Sequence, residues 1–271
     1  MTAHETDYHV HTFRCGHAGG ASRDYVLAAL DRGLSEIAFT DHIPIYFLEG
    51  DDPDPDCAMT RAELPEYVDE VLGLREEFRG RIDVLLGLEA DYAEGHEDGL
   101  REILALHEWD VVLGSVHWVR GAWIDGPGAA RRHESEGSVT LWTEYYRLLG
   151  KAAGSGLFDV MTHVDLPKKF GNLMPPSCRD AEASALAAIV ASGAAVEVSS
   201  AGLRKPVGEE YPAPRVLRDL VSQGVPIVLS SDAHAPLEVA WGRDRVHAAA
   251  RRAGAAEHLS FRRRERRRHT L

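Results

Sequence analysis

The chain has 271 residues, a formal net charge of −13 and a hydrophobic fraction of 44%, which suits one large α/β domain able to bury a full core. The acidic surplus argues against general nucleic-acid binding, which needs a basic face toward phosphates. Three cysteines (Cys15, Cys57, Cys178) make no disulfide framework, no apolar signal core follows Met1, and no run reaches membrane-spanning length, so the expectation is a cytoplasmic protein without a membrane partner.

In chain order, short apolar, β-branched runs alternate with helical patterns. A strand over 7–12 carries Asp7-Tyr8-His9-Val10-His11-Thr12. A helix over 22–32 follows, opened by Ser22 as N-cap and closed by Gly33. A strand over 35–40 runs into Thr40-Asp41-His42, and the acidic, proline-broken stretch 49–56 reads as a loop. The helix over 60–78 opens with capping-box spacing between Thr60 and Glu63. Then come a strand over 82–89 ending in Gly87-Leu88-Glu89, a helix near 97–107, and a strand over 110–117 ending in Ser115-Val116-His117. A loop over 121–137, a helix near 140–153 and a strand over 158–163 with Thr162-His163 follow. The loop 168–178, a helix near 179–192 and a strand over 194–199 lead to the segment Ser199–Lys205. A helix near 213–223, a strand over 225–231 ending in Ser231-Asp232-Ala233-His234, and a helix near 238–253 complete the pattern. The arginines of 262–268 read as a solvated basic tail (about 262–271) on a single domain spanning 1–271.

Repeated strand–helix alternation predicts a parallel sheet with helices outside. Seven units can close into a barrel resembling the eight-stranded one with a unit missing, and in such barrels reactive residues gather where strands give way to loops. Half of the fourteen histidines fall there: His9, His11, His17, His42, His117, His163 and His234, joined by Asp41, Glu89 and Asp232. His9 and His11, two apart on a strand, face one way. A single histidine at a strand end is ordinarily hydrogen-bonded or solvated, but structural histidines have no reason to prefer the ends of nearly all strands. Imidazole with carboxylate selects Zn, Mn or Fe over Mg or Ca. The candidates exceed the four donors usual for one zinc, so more than one ion is implied, with a carboxylate such as Glu89 able to bridge two. Multinuclear sites of this kind serve phosphate displacement.

These motifs, together with Cys15-Gly16-His17-Ala18 and Thr162-His163-Val164-Asp165, resemble the polymerase-and-histidinol-phosphatase (PHP) family, and within it the monofunctional histidinol-phosphate phosphatases, from residue 7 to about 247. The resemblance implies a distorted (β/α)₇, TIM-barrel-like α/β fold with three divalent ions at the C-terminal ends of the strands. By that pattern His9, His11, Glu89 and Asp232 hold the first ion, Glu89, His117 and His163 the second, and His17, His42 and His234 the third. The activity implied is hydrolysis of L-histidinol phosphate to L-histidinol and phosphate in histidine biosynthesis, by attack of a metal-bridging hydroxide. Asp41, His42, Asp232 and His234 form the catalytic set, Asp41 acting either as an acid or as an orienter of a ligand.

The expected partner is a small-molecule phosphate ester, and nothing in the pattern specifies an oligomer. Arg204 is expected to grip the phosphate with a fork of hydrogen bonds. Ser199, standing where relatives carry a bulkier amide, and Lys168, with Lys169 beside it, are further substrate-contact candidates. Cys15 lacks the arginine that cysteine phosphatases need six positions on, Ala21 standing there, so metal-assisted hydrolysis is preferred to a covalent thiol route. The alternatives are a PHP phosphoesterase acting on another phosphomonoester or on a nucleotide or nucleic-acid diester, and an amidohydrolase. Amidohydrolases share the opening His-x-His but typically lack a His42-like ligand and the closing Asp-x-His.

Overall fold

The computed structural model describes residues 4–50 and 52–271. Its elements are β1 (Thr6–Val10), α1 (Ser22–Asp31), β2 (Glu36–Phe39), α2 (Glu63–Glu77), β3 (Asp83–Asp91), α3 (Glu97–Leu104), β4 (Val111–Ser115), a short ribbon of β5 (Trp118–Val119) and β6 (Ala122–Trp123), α4 (Ala129–Arg132), α5 (Ser138–Gly154), β7 (Val160–Met161), α6 (Arg179–Ser192), β8 (Ala195–Ser199), α7 (Pro214–Ser222), β9 (Ile227–Ser230), α8 (Arg243–Arg252), β10 (Glu257–Arg262) and β11 (Glu265–Thr270). Seven parallel strands lie in the order β1-β2-β3-β4-β7-β8-β9. The ends of the sheet meet just past β9, where Ala233 pairs with Val10. There the His11 amide donates to the Ala233 carbonyl at 2.9 Å, and the Ala233 amide donates to the His9 carbonyl at 3.0 Å. The result is the seven-stranded, TIM-like barrel expected from the strand–helix alternation.

Alternation along the strands separates two apolar layers. Ala38, Leu85, Val111, Leu113, Val160, Ala195 and Val228 fill the barrel interior. Ile37, Phe39, Leu86, Leu88 and Val112 face the helices. β1 breaks the alternation with a bulge. Asp7 pairs with Ile37 and Val10 with Phe39, so Tyr8 and His9 together oppose the single residue Ala38. An extra residue of this kind re-aims side chains. Tyr8 joins the interior apolar layer, while the next residue, His9, reaches the carboxylates at the mouth.

The C-terminal segment departs from the expected solvated tail. β10 and β11 form an antiparallel hairpin whose Leu259 and Phe261 close the bottom of the barrel interior. The Phe261 amide donates to the Tyr8 hydroxyl at 2.7 Å, and that hydroxyl donates to Glu36 Oε2 at 2.6 Å. Arg264 holds Asp159 at 2.9 Å, while Arg266, Arg267 and Arg268 face solvent. The arginines are thus solvated as expected, but on the outward strand of a plug.

Two helix starts also differ. Ser22 is the first helical residue and not the cap, and its hydroxyl is buried without a hydrogen-bond partner. The last helix begins only at Arg243, because Ala240 (φ 51°) and Gly242 (φ 69°) turn the chain left-handed before it. The expected capping box does form: the Thr60 amide donates to Glu63 Oε2 at 2.9 Å, and the Glu63 amide donates to Thr60 Oγ1 at 3.2 Å. No helix among the described residues is long and apolar enough to cross a membrane.

Because Phe261 is only 1% exposed and closes the interior layer, Phe261→Ala should cost about 3–5 kcal/mol of unfolding free energy. Urea denaturation checks this, and metal content per folded chain should stay unchanged because the hairpin is at the opposite end from the histidines.

Candidate metal centre

The nine residues expected as ligands all meet at the C-terminal mouth. β3 points Leu85, Gly87, Glu89 and Asp91 inward by simple alternation. Gly87 is required there, since a Cβ would lie 2.8 Å from Thr40 Cγ2 and Val111 Cγ1. Glu89, 1% exposed, stands at the centre. Its Oε2 is 3.2 Å from His9 Nε2, 3.6 Å from His11 Nε2 and 3.1 Å from His42 Nδ1, while Oε1 is 2.9 Å from His163 Nε2 and 3.8 Å from His117 Nε2. Asp232 Oδ1 adds contacts of 3.2 Å to His11 Nε2 and 3.7 Å to His9 Nε2. The His17 and His234 rings are 4.7 Å apart, their Nε2 atoms separated by 3.0 Å. Two of these residues sit on strained backbone, His163 at φ 26° and Asp232 at φ 53°, a conformation that non-glycine residues adopt at a cost and that clusters at functional sites.

The donor set fits divalent ions. His9 Nε2 and His11 Nε2 are buried and have no hydrogen-bond partner, although each faces carboxylates. Donor atoms of His9, His11 and Asp232, of Glu89, His117 and His163, and of His11, His42 and His234 each lie within 4.8 Å of one another. Burial alone would raise the Glu89 and Asp232 carboxyls, but the surrounding imidazoles hold both well below the usual range. Burial also opposes charge on His9, yet Glu89, Glu197 and Asp232 outweigh it and lift that ring well above its ordinary value. His42 and His234 are pushed well below theirs by burial and by neighbouring imidazoles, which leaves neutral nitrogens able to ligate.

A second ring of carboxylates fixes the imidazoles. Glu197 on β8 accepts from His9 Nδ1 at 2.6 Å, from the His163 amide at 2.9 Å and from Ser230 Oγ at 2.7 Å. Asp91 accepts from the His117 amide at 2.7 Å and lies 3.2 Å from its Nδ1. Asp41 accepts from the amides of Thr12 at 3.0 Å and His42 at 2.9 Å, from the Thr12 hydroxyl, and lies 3.4 Å from His11 Nδ1. It is fully buried behind His11, a place suited to orienting a ligand and not to meeting a leaving group. Glu197 and Asp91 were not among the sequence candidates. The available signals were a lone acid inside the apolar run Ala195–Ser199, and an acid two residues after Glu89 on the same strand face.

Three substrate-contact candidates are placed differently from expectation. Arg204 donates through Nη2 to the carbonyls of Ser231 (2.8 Å) and Asp232 (2.9 Å), so it braces the strained Asp232 turn, while its Nε and Nη1 are buried without a hydrogen-bond partner. Ser199 is buried and its hydroxyl accepts from the Ala201 amide at 3.2 Å. Lys168 is buried, with its ammonium committed to Asp165 (2.9 Å) and the Glu210 carbonyl (2.8 Å). None of the three lines the cavity of about 170 Å³ over the histidines. The cations that do are Lys169 and Lys205, with Asp125 and Tyr211 beside them.

Residues 7–201 match the model of the PHP domain family. The chain belongs to that family. Over 236 residues it is 45% identical to a probable histidinol-phosphatase of Deinococcus radiodurans, covering 87% of this chain and 88% of that one. It is 30% identical over 259 residues to the histidinol-phosphatase of Bacillus subtilis, covering 87% and 95%. The crystal structure of histidinol phosphate phosphatase from Lactococcus lactis, complexed with zinc, L-histidinol and phosphate, superposes with a TM-score of 0.84 at 22% identity, over 98% of this chain and 100% of that one. The fold of this PHP-family chain is therefore that of a solved family member.

Two expectations follow for the metal centre. Glu197→Gln should weaken divalent-ion affinity about 10–100-fold with little change in circular dichroism, measured by titration against a metal-buffering chelator. His117 is opposed by burial, but Asp91 and Glu89 push it up to about 10. At neutral pH that ring carries a proton which a ligated ion must displace. Affinity should therefore rise with pH up to about 10, with proton release detectable by calorimetry in buffers of different ionisation enthalpy; uptake without release would contradict this.

Proposed function

We propose that this PHP-family protein is a metal-dependent histidinol-phosphate phosphatase, converting L-histidinol phosphate to L-histidinol and phosphate in histidine biosynthesis. The observation that carries the chemistry is the convergence of six imidazoles on the buried Glu89 and the half-buried Asp232 at one mouth, with His17 beside His234. Near full-length likeness to histidinol-phosphatases supports the substrate. We further assign three divalent ions, of Zn, Mn or Fe type by donor chemistry. His9, His11, Glu89 and Asp232 hold one, Glu89, His117 and His163 a second, and His17, His42 and His234 a third. Bound ions of this kind supply charge neutralisation at a phosphoryl group and lower the pKa of water.

The chain's own residues do the rest. Glu197, Asp91 and Asp41 fix the ring orientations, and Arg204 holds the Asp232 turn. Lys169, kept charged by Asp125 against burial, and Lys205 present positive charge to the phosphate from the cavity wall. Beyond them a second cavity of about 430 Å³ opens between the loops carrying Asp54, Asp56 and Trp123, room for the organic part of the ester. The cysteines are free, in keeping with assignment to the cytoplasm.

Purified protein loaded with Mn²⁺ or Zn²⁺ should hydrolyse L-histidinol phosphate with a kcat/KM well above that for a generic phosphomonoester such as p-nitrophenyl phosphate. Equal rates would remove the substrate assignment. His9→Ala or Asp232→Ala should lower turnover by more than the roughly 100-fold expected of an outer-ring change, and chelation of the ions should abolish it. Lys205→Met should raise KM about 10-fold or more, since a hydrogen bond to a charged group is worth about 1.5–3 kcal/mol; an unchanged KM would take Lys205 out of substrate binding.

A further inference from the structure

Tyr211 is 2% exposed, and its hydroxyl is buried without a hydrogen-bond partner. Buried phenols ordinarily find one, and an unpaired buried hydroxyl in a native protein calls for a reason. The side chain lines the cavity over the histidines, together with Lys169, Lys205 and Asp232. Its ring stands edge-on to His163, with centroids 6.2 Å apart.

Much of the surrounding structure serves to hold that ring. The Tyr211 amide donates to the Ser199 carbonyl at 3.0 Å, and the Ser199 amide donates to the Tyr211 carbonyl at 2.7 Å, which pins residue 211 to the C-terminal end of β8. Lys168 Nζ lies 5.0 Å from the ring centroid. Asp165 holds Lys168 and also accepts from the Ala213 amide at 2.7 Å, so both sides of the Tyr211 segment are tied to one carboxylate. Gly202 lets the turn close in, since a Cβ there would meet Tyr211 Cε2 at 3.1 Å and the Glu209 carbonyl oxygen at 2.1 Å. The buried lysine next to Lys169 thus has a use: it positions Tyr211 and does not itself meet the substrate.

We propose that Tyr211 is a substrate-contact residue whose hydroxyl donates a hydrogen bond to the phosphoryl group bound between the metal centre and Lys205. This rests on the phosphatase reading above. Burial and the nearby carboxylates Asp165, Asp125 and Asp232 keep the phenol protonated, so it acts as a donor and not as a base. The contact would make good the one hydrogen bond that the folded chain leaves unmade on this side chain.

Tyr211→Phe tests it, because the change removes only the oxygen. Wild type and variant, both metal-loaded, are compared for melting temperature, bound-ion content, the inhibition constant of inorganic phosphate, and kcat/KM for L-histidinol phosphate. The expected result is an equal or higher melting temperature and unchanged ion content. Phosphate inhibition and kcat/KM should each weaken about tenfold or more, the scale of a hydrogen bond to a charged group. Unchanged phosphate inhibition and kcat/KM, at whatever melting temperature, would overturn the proposal. So would a lower melting temperature with phosphate inhibition intact, which would make the hydroxyl structural. Failure of the parent reading looks different: the wild type itself would not hydrolyse the ester, while calorimetric titration of inorganic phosphate into metal-loaded wild type and Tyr211→Phe would still judge Tyr211.

Discussion

The structure depends on one unfavourable arrangement made tolerable, the burial of Glu89 among five imidazoles at the centre of a barrel. A carboxylate taken out of water is costly unless opposite charge surrounds it, and here the imidazoles that compensate it crowd one another. His42 and His234 are driven toward neutrality while His9 and His117 are driven toward charge. Within the protein alone, His9 Nε2 and His11 Nε2 are left without hydrogen-bond partners. Divalent ions would resolve the conflict, because they accept many lone pairs at once and would leave the ligating imidazoles neutral, so the same residues that destabilise an apolar interior are suited to a metal centre.

Such a cluster needs a frame that does not relax away from it. The closing pair between His9, His11 and Ala233 joins the first strand to the last at the level of the ligands, so the barrel seam and the site are the same piece of backbone. The bulge in β1 serves both ends. By placing Tyr8 and His9 inward in succession, it sends one side chain down to the hairpin plug and the other up to the carboxylates. The polar mouth is thereby separated from the foot of the barrel by an apolar interior layer.

How much of this was legible in the sequence follows from what a one-dimensional pattern encodes. Most strand and helix spans were readable because apolar periodicity is local, although the cap at Ser22 and the start of the last helix were not. The ligand pool was readable because parallel βα units put the ends of all strands on one face. Direction on irregular backbone was not. Arg204 and Lys168 lie on 3-10 turns, where no period states which way a side chain points, and both proved to brace backbone. Glu197 was hidden for the opposite reason: an acid within a strand reads as an exposed position until the barrel closes around it. The hairpin escaped notice because its buried face rests on Leu259 and Phe261 alone, beside a run of arginines that reads as tail.

The atoms left without partners separate what the fold requires from what the chemistry requires. His9 Nε2, His11 Nε2 and Tyr211 Oη are all buried and unpaired, and all three belong to residues at the mouth. Selection for stability alone would replace each of them with an apolar group of similar shape, since an unmade hydrogen bond costs more than its mean worth when made. Their retention beside strained His163 and Asp232 marks a region where local rules are broken in concert. Unpaired buried atoms and left-handed residues occur elsewhere in the chain as well, but at the mouth they coincide with the crowded imidazoles and carboxylates, and that coincidence is what points to chemistry.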